Sequence, residues 1–511
     1  MAIRVCLLIA LLGLAPLPAS ADPLDGLEDW IESERERWGV PGLAVAIVHK
    51  DDVLIARGFG HLGLEDDSPV DADTQFGIAS LSKAMTATAL GFLVEEGKLD
   101  WDDQVIDHLP EFRLSDDWVT GHVTLRDLLS HRVGVGRLFG NRLTFMPNRT
   151  REQFMGHLRY HEFEQGFREA YVYSNAMYTV AGEVLERVSG QSWESFVDER
   201  LFAALGMTRS NTSIADLDDN AARPHQEING DLKSIARRDW GYAGPAAAVN
   251  SSANDMARWM RFNLGQAGEL DGEAYLGEQI MEVIHRPSKL TGFDDEEQAI
   301  TGYGLGWGIA RYRGHHVLRH AGATDGFHSQ VWLLPGLELG VFITANTFTE
   351  LRDPVLKHIV DRIAGLELTD WADQAFADDL ELRQQVRQAR AEVFAGHHSG
   401  TQTSQELLAY VGRYHNPLHD TAEVVLVDGQ LVLTLWDDAT QTLKLEHWHH
   451  DTFLGRWANP AQGEKFVWFR LGKDGQPDSL KISFSLRPRL LQEGAFPADA
   501  KRVVEFKRVT E

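Results

Sequence analysis

Ser80 and Lys83 stand three residues apart in the run Ser80-Leu81-Ser82-Lys83, ahead of a stretch that reads as a long helix through Met85, Leu90 and Leu93 to Gly97. On a helix, that spacing puts both side chains on one face, so an amine can reach a hydroxyl. A nucleophile beside a base is the equipment of acyl transfer. The helix start adds to it, because the positive end of the dipole stabilises a developing oxyanion and disfavours an ammonium. Serine and lysine are common, so the tetrapeptide carries weight only with company.

Two further groups supply it. Tyr173-Ser174-Asn175 precedes a helical stretch beginning near Met177. A tyrosine held between a lysine and a serine can pass the serine's proton to a leaving group, and an asparagine can hold both the lysine and a substrate amide. His320-Ala321-Gly322, followed by Ala323, reads as a strand end of small residues, where a substrate backbone can pair and an N–H can face an oxyanion. His320 is suited either to holding a carboxylate or to steadying the tyrosine, with a charge that depends on pH.

These groups must be carried by two kinds of element. Leu43-Ala-Val-Ala-Ile-Val48 and Val53-Leu-Ile-Ala56, around Asp51-Asp52, read as a hairpin of buried strands. Helical patterns follow, at Thr124-Leu-Arg-Asp-Leu-Leu129 and over residues 179–188, the latter closed by Gly190. Strands return at 317–320, 327–334 and 337–344. The predicted fold is therefore α+β: an antiparallel sheet built from both ends of the domain, flanked by helices with a helical subdomain, without repeated βα alternation. Residues 371–405 read as a helical and polar linker, with one exposed helix over 378–394. From 406 to 511, period-two runs such as Leu431-Val-Leu-Thr-Leu435 predict a small antiparallel β-barrel or sandwich.

The order S-x-x-K, Y-S-N, H-x-G resembles the serine β-lactamase and penicillin-binding-protein family, in the branch of class C β-lactamases, D-peptidases and related esterases. The resemblance covers roughly Leu27 to Gly365 and takes in Leu128-Leu-Ser-His131 with Gly134, Asn250-Ser-Ser-Ala-Asn-Asp-Met256 and Tyr303-Gly-Leu-Gly-Trp-Gly308. It implies Ser80 as the acylated nucleophile, Lys83 as its base, Tyr173 as general acid/base and Asn175 as positioning residue. It also implies an oxyanion hole made by the N–H groups of Ser80 and Ala323, beside Gly322. His320 stands where the family more often has lysine. No counterpart of the class A deacylating glutamate is found. The unit from Tyr410-Val-Gly-Arg-Tyr414 resembles a lipocalin-like β-domain. The family's chemistry uses no cofactor and no metal, and the expected partner is a small-molecule or short-peptide substrate.

Composition narrows the setting. Arg4, an apolar run over 5–17 and Ala19-Ser20-Ala21 make residues 1–21 read as a signal peptide, and the expected location is periplasmic or secreted, without a stable membrane anchor. The single cysteine, Cys6, lies inside that leader, which excludes disulfides, a thiol nucleophile and thiolate metal sites from the mature chain. Acidic residues outnumber basic ones 76 to 49, which repels nucleic acid. No G-x-S-x-G supports an α/β-hydrolase. His447, His449, His450 and Asp451 form the most tempting metal cluster, but lack a recognised ligand frame. The expected function is hydrolysis of a small ester or amide, as a D-amino-acid peptide, a carboxylic ester or a β-lactam, through an acyl-Ser80 intermediate. The rival is a catalytically silent binding or assembly protein.

Overall fold

The computed structural model describes residues 22–136, 149–228, 230–265, 268–483 and 503–509. The leader read at 1–21 lies outside them. The strand Gly42–His49 explains its own continuous apolar run, because both faces are covered. Leu43, Val45 and Ile47 enter one core with residues of the helices Leu27–Arg37 and Arg352–Ile363, while Ala44, Ala46 and Val48 enter the core that contains the central helices. Alternation is hidden in such a sequence because neither face meets water.

The sheet has nine strands in the order Lys289–Asp294, Ala299–Tyr303, Gly308–Tyr312, His315–Thr324, Phe327–Leu334, Leu339–Ala345, Gly42–His49, Asp52–Gly63 and Asp66–Pro69. Every neighbouring pair is antiparallel, and the N-terminal hairpin joins the C-terminal strands at Leu43↔Ala345. The strand expected at 317–320 is longer, running from His315 to Thr324.

Helices fill the interval. Ser82–Glu95 is buried from residue 82 to 93, as a helix apolar on all sides must be. It packs against Asn175–Ser189 and the short helix Gly244–Ala247. Among its buried polar side chains, Thr86 Oγ1 donates to Pro245 O at 2.8 Å and accepts from the Trp193 indole at 3.0 Å. Gly97, at φ 68, ends the segment in the left-handed conformation that favours glycine.

A helix longer than expected, Trp371–Ala395, leads away from the sheet domain. Asp370 caps it, accepting from Asp373 N–H at 3.1 Å, and the Trp371 indole donates to buried Asp361 at 2.8 Å. Arg383 bonds Glu227 of the sheet domain at 2.9 Å, and Arg390 bonds Glu464 at 2.6 Å. Glu464 begins a strand of the second unit, a closed antiparallel barrel of eight strands from Gly412–Asn416 to Val503–Arg508. Leu431, Leu433 and Leu435 alternate inward there, as their period predicts. Among the described residues no helix is long and apolar enough to cross a membrane.

Candidate active site

Ser80 sits in a tight turn, Ala79–Leu81, just ahead of the buried helix that starts at Ser82. Ala79 has φ 49, a left-handed conformation that costs an L-residue about 1–2 kcal/mol. Ser82 holds that turn: its hydroxyl donates to Ala79 O at 2.7 Å and accepts from Val249 N–H at 3.1 Å. The second serine of the tetrapeptide is thus structural, a role that spacing alone does not reveal.

Lys83 lies one turn behind, fully buried. Its Nζ is 3.0 Å from Ser80 Oγ and donates to Ala246 O at 2.8 Å. Burial drives its pKa well below the usual lysine range, so the amine is held toward the neutral form. A neutral amine has a lone pair for the Ser80 hydroxyl proton, and an ammonium has none. Its remaining surroundings are aromatic, with the Tyr173 ring centre at 4.8 Å and that of Tyr178 at 5.4 Å.

Tyr173 O–H donates to Ser80 Oγ at 2.8 Å, so the serine oxygen touches both an amine and a phenol. Asn175 opens the helix Asn175–Ser189 and is buried on the same turn of chain. Between them, Ser174 N–H donates to His131 Nδ1 at 3.1 Å. The His131 ring lies 4.4 Å from that of Tyr173 and 4.9 Å from that of Tyr303. Burial pushes the His131 pKa well down, keeping the imidazole neutral. His131 therefore fixes the backbone and ring that aim Tyr173.

The strand His315–Thr324 brings in the third group. Up to Arg319 it pairs on both sides, but from His320 onward only Phe327–Leu334 accompanies it among the described residues. Beyond that point the strand passes the Ala79–Leu81 turn so closely that a Cβ at Gly322 would lie 2.1 Å from Ile78 O. At Gly306, φ 82, a Cβ would likewise meet the helix Ser82–Glu95, 2.6 Å from Ala84 Cα. The strand and the turn that carries Ser80 are thereby brought together, with Ala323 one residue beyond Gly322. Gly322→Ala is expected to push the strand off the turn and lower kcat/KM by about a hundredfold, the cost of a misplacement near 1 Å. Steady-state kinetics beside a melting curve checks this.

His320 is almost fully buried. Its Nδ1–H donates to Ala321 O at 2.8 Å, leaving Nε2 to accept the Tyr303 hydroxyl at 2.9 Å. Burial, with Lys83 nearby, pulls its pKa down to about 3. Of its two expected uses, this neutral ring, 6.5 Å from that of Tyr173, suits steadying the tyrosines and offers no cation to a carboxylate. Tyr178, which donates to Leu129 O at 2.6 Å, and the Ala246 carbonyl are further site components that no sequence motif marked.

The histidines of the barrel do other work. Asp451 accepts from Tyr410 O–H, from Ser404 N–H at 2.8 Å and from Ser404 Oγ at 2.7 Å, while His447 Nε2 faces His450 O at 2.9 Å. Among the described residues no three potential ligands converge.

An antiparallel sheet over a buried helix that carries the lysine, with the serine in the turn before it and a tyrosine closing on the same oxygen, is the arrangement of serine acyl-transfer proteins. The chain belongs to the Beta-lactamase family, whose model matches residues 27–366, and a domain of unknown function matches 397–494. It is 27% identical to the unguisins hydrolase ungD' of Aspergillus campestris over 91% of this chain and 90% of that one. The octameric penicillin-binding protein homologue from Pyrococcus abyssi has the same fold at 20% identity and a TM-score of 0.60, covering 90% of this chain and 98% of that one. A class C β-lactamase overlays at 22% identity with a TM-score of 0.57, covering 68% and 97%. The family and these likenesses support a serine hydrolase.

Proposed function

We propose that the protein hydrolyses a small ester or amide through an acyl-Ser80 intermediate. The observation that carries this reading is the double contact at Ser80 Oγ, 3.0 Å from buried Lys83 Nζ and 2.8 Å from Tyr173 OH. Neutral Lys83 takes the Ser80 proton as Oγ bonds the carbonyl carbon. The carbonyl electrons move to an oxyanion received by the N–H groups of Ser80 and Ala323. Collapse expels the leaving group, which takes the Tyr173 proton, and the Lys83 ammonium returns its proton to the phenolate. Water then repeats the sequence on the acyl-enzyme, its proton passing to the same pair and a proton returning to Ser80. Asn175 would position the lysine and the substrate amide.

Candidate substrates are D-amino-acid peptides, simple carboxylic esters and β-lactams. A hydrolase-named relative spanning sheet domain and barrel supports hydrolysis as the reaction class. The 1–21 leader supports placing the reaction outside the cytoplasm.

The test is a panel of short-chain 4-nitrophenyl esters, D-aminoacyl amides and a chromogenic cephalosporin. Turnover of at least one, slowed about a hundredfold by Tyr173→Phe through kcat, is expected from loss of a general acid. No turnover anywhere on the panel sinks the reading for these classes, and an unchanged Tyr173→Phe rate moves the acid elsewhere.

A further inference from the structure

A cleft is lined by Gly77, Arg237, Ala247, Thr324 and Phe327. Its walls are neighbours of the site in sequence: Gly77 leads into the nucleophile turn, Ala247 follows the carbonyl that holds Lys83, and Thr324 follows Ala323. Into it faces Arg237, partly buried, its guanidinium stacked 5.1 Å from the Phe327 ring centre. Phe327 in turn packs on Gly77, where a Cβ would lie 3.2 Å from its ring.

The charges around Arg237 leave it uncompensated. Arg238, beside it, is paired with Asp325. Asp239 stands exposed on the rim, its Oδ1 accepting from Gly241 N–H at 2.9 Å. Arg223 is paired with Asp66 at 2.7 Å. Arg237 itself donates to the Ala222 carbonyl, and no carboxylate pairs with it among the described residues. Burial with Arg223 nearby pulls its pKa down to about 10, so it keeps its charge at neutral pH. A half-desolvated guanidinium without an acid is costly unless a ligand supplies one.

Direction follows from the mechanism. Tyr173 delivers its proton to the leaving group, so that group departs on the side of Tyr173, His320 and Tyr303. The acyl portion then extends the other way, past Gly77 and Thr324. We propose that Arg237 forms a subsite for an acidic group carried on the acyl portion of the substrate, a carboxylate at the far end of a short chain. This rests on the acyl-Ser80 reading above and specifies its substrate class. The site's other candidate for anion recognition, His320, is neutral and already engaged at both nitrogens.

The test compares 4-nitrophenyl monoadipate with its uncharged counterpart, 4-nitrophenyl hexanoate. The wild type is expected to favour the adipate in kcat/KM by about tenfold or more, the worth of a hydrogen bond to a charged group. Arg237→Gln brings the ratio to about one, and Arg237→Lys, retaining the charge without the planar fork, leaves an intermediate ratio. A ratio unchanged in Arg237→Gln, or a wild type that prefers the hexanoate, overturns the subsite. Calorimetry separates this from failure of the hydrolytic reading. Ser80→Ala protein should bind adipic acid mono(4-nitroanilide) more tightly than hexanoyl 4-nitroanilide, and Ser80→Ala with Arg237→Gln should not. That result without ester turnover keeps the subsite and rejects hydrolysis, whereas equal binding of both anilides rejects the subsite.

Discussion

Ser80→Ala protein is expected to keep the wild-type fold and to lose turnover by about 10⁵-fold or more, as when a nucleophile that works as one unit with its base is removed. Ser80 Oγ is the atom on which Lys83 and Tyr173 converge, so deleting it leaves both without a partner on the substrate. The fold does not depend on that hydroxyl. The turn is held by Ser82, which bridges Ala79 O and Val249 N–H, and the backbone is pinned by Ile78 N–H donating to Val249 O at 3.0 Å. Loss of rate without loss of melting temperature is therefore the expected signature. A fluorophosphonate probe reads the same event directly: one adduct on the wild type, with fluoride released, and none on Ser80→Ala. Equal labelling of both proteins would put the nucleophile at another residue.

The grouping of Ser80 with Lys83 and Tyr173 was legible because short groups keep their order, and because a three-residue interval on a helix has only one geometric consequence. What those groups rest on was less so. Ser80 precedes the helix rather than opening it, since Ala79 takes a left-handed conformation that no alanine advertises. Gly322 reads as one of several small residues at a strand end, and what it permits, the approach of Ile78 O to the strand, is not visible there. That contact joins residues distant in sequence, and composition holds no record of it. His131 and Tyr303 were visible as family signatures without a stated task. Their task is to pack around Tyr173 and to bond Ser174 N–H and His320, a matter of burial that periodicity does not encode.

The same limit applies to the elements. The strand at 43–48 was readable as buried, but its two-sided division between cores emerges only from the sheet order. The helix expected at 378–394 begins at Trp371 because Asp370 caps it and Asp361 accepts the Trp371 indole. Charged composition marked its exposed middle and concealed its anchored start. Barrel and sandwich share the same alternation, and only the pairing of Tyr414 with Arg508 closes the ring.

Lys83→Met should lower kcat/KM by about 10³- to 10⁴-fold, the upper range for loss of a general base, and should also change how stability depends on pH. Methionine fills much of the same buried space without an amine, so packing around the helix persists. In the wild type, folding must bring Lys83 into a site where its ammonium is disfavoured by burial. The unfolded chain then binds more protons than the native one over the interval between the depressed native pKa and the ordinary lysine pKa. Stability therefore rises with pH across that interval. Below it, both states carry the proton and the penalty is constant; above it, neither does and the penalty vanishes. The methionine variant lacks this term. Its melting temperature relative to the wild type is expected to be most favourable at the lower end of the interval, with the difference moving toward the wild type as pH rises. The lost hydrogen bond to Ala246 O shifts the whole comparison without adding a slope, because a backbone carbonyl does not titrate. Melting curves of the two proteins at several pH values, beside their ester kinetics, measure both effects. Parallel stability profiles would mean that Lys83 stays protonated in the folded protein, and the base for Ser80 would then have to be sought among the other groups at the site.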